Sequence, residues 1–252
     1  MRRVGLNYRK EFAMYFFTPV MGVLAVYVLA AVIPAAFLLR FIYRHDHIEK
    51  EPGGLLVALL GGGLLAALCS IVLEGIGNTL LDVTVSQDSL AYYIILAFVV
   101  VAAVEEGTKM FFMKKFSWRH PHFNYLFDGV VYAVFVSLGF AAYENIQYVF
   151  NYGLSVALPR AFLSIPGHMG FAVFMGIFYA RAKRAEMRGR QDLVKRNMIL
   201  GYLSAVFLHG FYDACCMIGS GTAGLLFIAF VIAMYVVVYR LVKRASQDDG
   251  PV

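Results

Sequence analysis

At 252 residues, with 61% of them apolar, 15% charged and a mean hydropathy of +0.70, the chain lies outside the range of soluble domains, which run about 45–50% apolar and about 25% charged. A soluble globular domain is excluded. Apolar runs measured against the roughly 20 residues that cross a bilayer predict an all-α polytopic membrane protein, and the net charge of +6 implies no nucleic-acid partner, because most Lys and Arg fall in short loops between those runs.

In chain order, a basic segment (residues 1–11, with Arg2, Arg3, Arg9 and Lys10) leads into an apolar stretch from Phe16 to Leu39. That stretch is too long for the core of a cleaved signal peptide and reads as the first of about seven transmembrane helices. The others are expected at 55–73, 90–113, 127–150, 161–180, 198–218 and 223–240, followed by a short tail at 243–252. No linker, low-complexity tract or repeat divides them, so residues 1–252 read as one membrane-embedded domain. Gly61, Gly62 and Gly63 are expected to let helices approach closely. Cys69, Cys215 and Cys216 lie in apolar runs and read as buried small hydrophobes without a disulfide framework.

The loops set the orientation. Arg181, Lys183, Arg184, Arg188, Arg190, Lys195 and Arg196 crowd one loop, Lys114, Lys115 and Arg119 another, and Arg240, Lys243 and Arg244 the C-terminal end; all three are expected on the cytoplasmic side. The segment from Glu74 to Ser89 has no Lys or Arg and that from Asn151 to Arg160 has one, which makes both external. Seven spans then place the basic N-terminus outside, against the same rule.

Ionisable residues inside spans are costly, at least about 2.5–3.5 kcal/mol on insertion scales, and mark function or a structural bond between helices. The third span carries Glu105, Glu106 and Lys109; the fourth Glu144 and Asn145; the fifth His168; the sixth His209 and Asp213. At about 1.5 Å per residue, Glu105 and Glu106 lie ~12–14 Å from the inner face, His209 ~16 Å and His168 ~20 Å, whereas Glu144 and Asp213 come out farther, at ~26 and ~22 Å, and Asp128 stays at the inner edge. Paired carboxylates and two imidazoles near one depth are the ingredients of a hydrolytic site that activates water. Glu105 and Lys109 share a helix face, as do His209 and Asp213, so Lys109 is expected to balance one glutamate and Asp213 to fix the tautomer of His209. One lysine is not expected to satisfy both acids, which leaves the other for acid–base work. A buried ion pair without catalytic duty is the alternative for Glu105 and Lys109.

At these motifs the chain resembles the PrsW family of intramembrane proteases, which looks like a distant branch of the superfamily of type II CAAX prenyl endopeptidases. The resemblance runs from about residue 40 to 220: Glu49, Lys50, Glu51 and Pro52; Glu105, Glu106 and Lys109; Phe127 to Tyr132, including Asp128; Gly139, Phe140, Ala141, Glu144 and Asn145; His168; and His209, Gly210, Tyr212 and Asp213. Where the wider superfamily tends to carry a histidine four residues after the second motif's phenylalanine, this chain has Glu144 after Phe140.

The resemblance implies a multi-pass cell-membrane protease that hydrolyses peptide bonds in or near the bilayer, with membrane-anchored regulators such as anti-sigma factors as substrates. Two mechanisms stay open. In one, Glu105 activates water, Glu106 and Lys109 position it, and His168 and His209 stabilise the oxyanion, with Glu144, Asn145, Asp213 and Asp128 in support. In the other, His168, His209 and Glu105 or Glu106 bind zinc; no HExxH element or Cys cluster compels that reading. The rivals are an aspartyl pair of Asp128 and Asp213, which a depth difference of ~20 Å excludes, a serine mechanism through Ser137 or Ser164, which no GxSxG setting supports, a proton-coupled transporter and a non-catalytic scaffold.

Overall fold

The structure, a computed structural model, describes residues 2–252, with side chains described from Met21 onward; the predicted basic segment 1–11 and the start of the predicted first span lie outside the described side chains. The chain is 86% helical and, among the described residues, has no strand. Its elements are α1 (Arg2–His45), α2 (Gly53–Thr84), α3 (Leu90–Ile95), a π-helical segment (Leu96–Ala102) continuing into α4 (Ala103–Ser117), α5 (Leu126–Tyr152), α6 (Ala157–Phe162), α7 (Ser164–Met187), α8 (Gln191–Ile218) and α9 (Gly221–Gln247). Seven stretches among the described residues are long and apolar enough to cross a membrane, the first of them Met21–His45.

Local signals mark the ends. The Ser89 and Ser220 hydroxyls accept the amides of Tyr92 and Ala223, capping α3 and α9, and Gly219 closes α8 at φ 63° in the left-handed region. The second span departs most from its prediction. It runs on past residue 73 to Thr84, so Glu74 belongs to a membrane helix and not to an external loop. Ile76, Leu80, Leu81 and Val83 continue the apolar pattern beyond the acid, and a stretch longer than the bilayer is thick accommodates by tilting.

The bundle is built around α5, whose face is buried nearly all round, with Phe127, Tyr132, Val134 and Leu138 sealed from solvent. Glycines let its neighbours touch its backbone. A Cβ on Gly63 would come within 2.1 Å of the Val136 carbonyl, and one on Gly176 within 2.6 Å of the Gly129 carbonyl, so α2 and α7 cross α5 at distances no larger residue allows. Of the glycine triplet, Gly63 makes the helix contact, Gly62 faces the Phe116 ring and Gly61 meets open space. The three cysteines are free, and of them Cys215 alone is buried.

One end of the bundle gathers the α1–α2, α4–α5 and α7–α8 connections with the C-terminus. Glu49 accepts from Asn124 at 3.0 Å and pairs with His122 at 2.9 Å. Trp118 Nε1 donates to Glu186 at 2.9 Å, the Phe127 amide donates to Asp249 at 2.8 Å, and the Ser246 hydroxyl bonds the His45 carbonyl. Loops that the Lys and Arg count assigns to the cytoplasm therefore share one face.

Candidate active site

The site starts on α4. Neighbouring helical residues point about 100° apart, and a residue three or four positions on lies over the turn between them. Lys109 occupies that place. Its Nζ donates to Glu105 Oε2 at 2.9 Å and to Glu106 Oε1 at 2.8 Å, with all three side chains buried, and lies 4.0 Å from the centre of the Phe140 ring. The expectation that one lysine cannot serve both acids is therefore corrected: the i,i+3 and i,i+4 positions together bring both carboxylates to one ammonium.

His168 on α7 supplies the third partner. Its Nδ1 is 3.3 Å from Lys109 Nζ and its Nε2 is 3.0 Å from Glu144 Oε2. An ammonium only donates, so Nδ1 accepts and Nε2 donates to Glu144, which assigns the tautomer. His209 on α8 places Nδ1 3.0 Å from Glu106 Oε1 and 3.9 Å from Glu105 Oε2, and Nε2 3.3 Å from Asp213 Oδ2. The ring stacks on Phe171 at 4.9 Å and stands 5.3 Å from the His168 ring. Three transmembrane helices thus bring Glu105, Glu106, His168 and His209 together, and α5 adds Glu144.

Glu144 sits closer to this centre than the depth arithmetic implies, because that arithmetic ignores helix tilt and the reach of a glutamate. It also has a partner that the sequence reading missed. Arg160 on α6 donates through Nη2 to Glu144 Oε2 at 2.8 Å and through Nε to Asn145 Oδ1 at 2.8 Å, while the Asn145 amide donates to the Ala31 carbonyl at 2.8 Å. The available signal was a lone arginine in an otherwise uncharged external segment, sixteen residues beyond an intramembrane acid. Asp128 lies apart from the centre. At the N-terminus of α5 its carboxylate accepts the amides of Asn124 and Tyr125 at 3.0 and 2.7 Å, an N-terminal cap. Ser137 donates to the His168 backbone carbonyl at 3.0 Å and ties α5 to α7.

A cavity of about 550 Å³ opens beside the cluster, lined by Glu105, Glu144, Arg160, His168, His209 and Asp213 among others. Glu105 faces it; Glu106 and Lys109 stand behind, outside its wall. The lining also includes Gln147, Tyr148 and Met217, near the ends of α5 and α8 away from the cytoplasmic-side loops.

Glu105, Glu106, His168 and His209 each offer a ligand atom within 4.8 Å of the others, a donor set of the right kind for zinc. Three of the four already hold the Lys109 ammonium between them. As arranged, the set encloses the chain's own cation and does not fit a divalent ion as well.

Comparisons with known proteins identify the family. Residues 51–241 fit the family model described as "PrsW family intramembrane metalloprotease". The chain is 32% identical over 211 residues, 82% of its length and 86% of the relative's, to a protein named Protease PrsW from Clostridioides difficile (strain 630). It is 31% identical to one of that name from Geobacillus kaustophilus (strain HTA426), over 88% of this chain and 93% of the relative. A third, from Bacillus subtilis (strain 168), is 29% identical over 73% of the chain and 79% of the relative. No solved structure matches. With the family model covering most of its length and relatives at about 30% identity along most of theirs, the chain belongs to the PrsW family and is a multi-pass intramembrane protease.

Proposed function

We propose that the chain cleaves membrane-anchored regulatory proteins, of the anti-sigma-factor kind, by a glutamate-activated water. The observation that carries this reading is the asymmetry of the acidic pair: both glutamates bind Lys109, and Glu105 alone of the two faces the cavity that the imidazoles also line. A water held against Glu105 gives up a proton to it while its oxygen attacks the peptide carbonyl. The oxyanion that forms takes a share of the Nε2–H of His168 and of His209, which the resting site gives to Glu144 and Asp213. Glu105 then returns the proton to the departing amine, which balances the hydrolysis. Glu106 and Lys109 hold the base in place and supply the fixed charges around it.

Supporting this route over zinc is the place of Lys109, since a divalent ion on the same ligands would have to displace the ammonium. The test is cleavage of a cognate membrane-anchored substrate in proteoliposomes, with metal analysis of the same preparation. Glu105→Gln, Glu106→Gln, His168→Ala and His209→Ala are expected to abolish cleavage while the protein stays in the membrane, and a strong chelator to leave the wild-type rate unchanged. Loss of activity to the chelator with recovery on adding zinc would overturn the glutamate route. Wild-type cleavage by both Gln variants would overturn the site.

A further inference from the structure

Glu74 is an intramembrane acid that this chemistry does not use. It lies on α2 one helical turn beyond Ser70, whose hydroxyl bonds Thr108 of α4 at 2.8 Å. Ala67, Ser70, Ile71 and Glu74 form one face of α2, and that face is a wall of the active-site cavity. The other three acids on the cavity each have a basic partner: Glu105 has Lys109, Glu144 has Arg160 and Asp213 has His209. Glu74 forms no ion pair with any described residue, and its Oε1 is sealed from solvent without a hydrogen-bond partner. An acid so placed in a membrane is costly, and a cation brought into the cavity offsets the cost.

The charge on the cavity wall says what kind of group that is. Three of the four carboxyl groups on the wall are matched by Lys109, Arg160 and His209, so the unmatched acid is Glu74, and an unmatched acid draws in a cation. We infer that Glu74 is a specificity-determining residue that receives a basic side chain, Lys or Arg, of the substrate polypeptide. It stands ten residues before Thr84, the end of α2 away from the cytoplasmic-side loops, or about 15 Å along the helix. A long basic side chain near the outer end of the substrate's span reaches that depth along its own apolar stem.

This inference rests on the protease reading, and the experiment separates the two. Single-span peptides that differ only in carrying Lys, Arg, Gln or Glu at successive positions of the outer part of the span and just beyond it are reconstituted with the full-length protein, and kcat/KM is measured for each. At one or two neighbouring positions the wild type is expected to favour Lys or Arg over Gln by about tenfold or more, the size of one charge-assisted hydrogen bond. In Glu74→Gln that ratio is expected to fall to about one, and in Glu74→Lys the Glu peptide is expected to become the favoured one. A wild type that cleaves the peptides without regard to charge, or a Lys-to-Gln ratio that survives Glu74→Gln, overturns the assignment and leaves the protease reading standing. Where Glu74→Gln accumulates too poorly to assay, the wild-type ratio and the reversal in Glu74→Lys decide the matter. A wild type that cleaves no peptide of the series overturns the protease reading for such segments, and this inference with it.

Discussion

Two acidic clusters are buried among the described residues, and they are balanced in opposite ways. In the membrane core, Glu105, Glu106 and Glu144 each touch a cation, supplied by Lys109 or Arg160, and each also faces a histidine. At the cytoplasmic-side junction, Asp46, Glu51 and Asp128 are as deeply buried, yet Asp46 Oδ2 and Glu51 Oε2 have no hydrogen-bond partner. Lys50, the cation beside them, spends its ammonium on the backbone carbonyls of Tyr43 and Asp46. A paired carboxylate is a fixed charge that chemistry can use, while an unpaired one close to water responds to pH. The first arrangement suits a catalytic base and the second a packing junction whose strength depends on protonation.

The largest effect that sharpens this contrast is expected at Lys109. Lys109→Gln removes the one ammonium that both α4 glutamates share and leaves two buried acids uncompensated, a loss on the order of 3–5 kcal/mol for a broken buried pair. Membrane abundance and thermal stability in detergent should fall together with activity. Adding Glu105→Gln and Glu106→Gln to that variant should restore abundance without activity. If the single variant accumulates normally, the core acids do not depend on Lys109 and the comparison fails.

A smaller, purely functional effect is expected at Asp213, one helical turn beyond His209. Asp213→Asn keeps a side chain of the same shape but no longer offers the Nε2–H of His209 a carboxylate to donate to, and the loss of such an outer partner costs about 10–100-fold. The cleavage rate should drop by that factor at unchanged membrane abundance. A proportional loss of rate and abundance would make Asp213 a tie between helices and leave the His209 ring without an aiming partner.

The sequence made the core legible because membrane burial is so restrictive. Glu105, Glu106, His168 and His209 stood out as ionisable residues in apolar runs, and the four-residue spacings foretold the Lys109–Glu105 and Asp213–His209 contacts. What stayed hidden depended on where helices end and how they tilt. Glu74 looked like the start of an external loop because the segment from Glu74 to Ser89 has no Lys or Arg, and only the continuation of α2 to Thr84 brings it to the cavity. Arg160 looked like a stray loop charge because α6 is too short to read from periodicity. Asp128 sits within the resembling motif, yet its work is local: it caps the amides that begin α5. The cytoplasmic-side junction was illegible as a unit, since it joins residues such as Phe127 and Asp249 that stand 122 positions apart.

The smallest expected effect tests the second cluster at Glu51, on the short connection between α1 and α2. Burial pushes its carboxyl up from 4.5 to about 8, and the neighbouring Asp128 carboxylate pushes in the same direction. Asp46, nearer Lys50, is raised by burial only to about 6. An acid whose pKa is raised on folding binds a proton in the folded state that the unfolded chain has already released. Its contribution to stability is therefore greatest below pH 4.5, declines as pH rises from there to about 8, and levels off above. Glu51→Gln carries the neutral form permanently. It should match the wild type near pH 5 and exceed it above pH 8 by about 1 kcal/mol, a figure kept small because water at the junction screens the charge. Thermal unfolding of both proteins across that range reads the difference directly. Identical pH profiles would show that Glu51 is ionised and paired in the folded protein, and the opposition between the two acidic clusters would be lost.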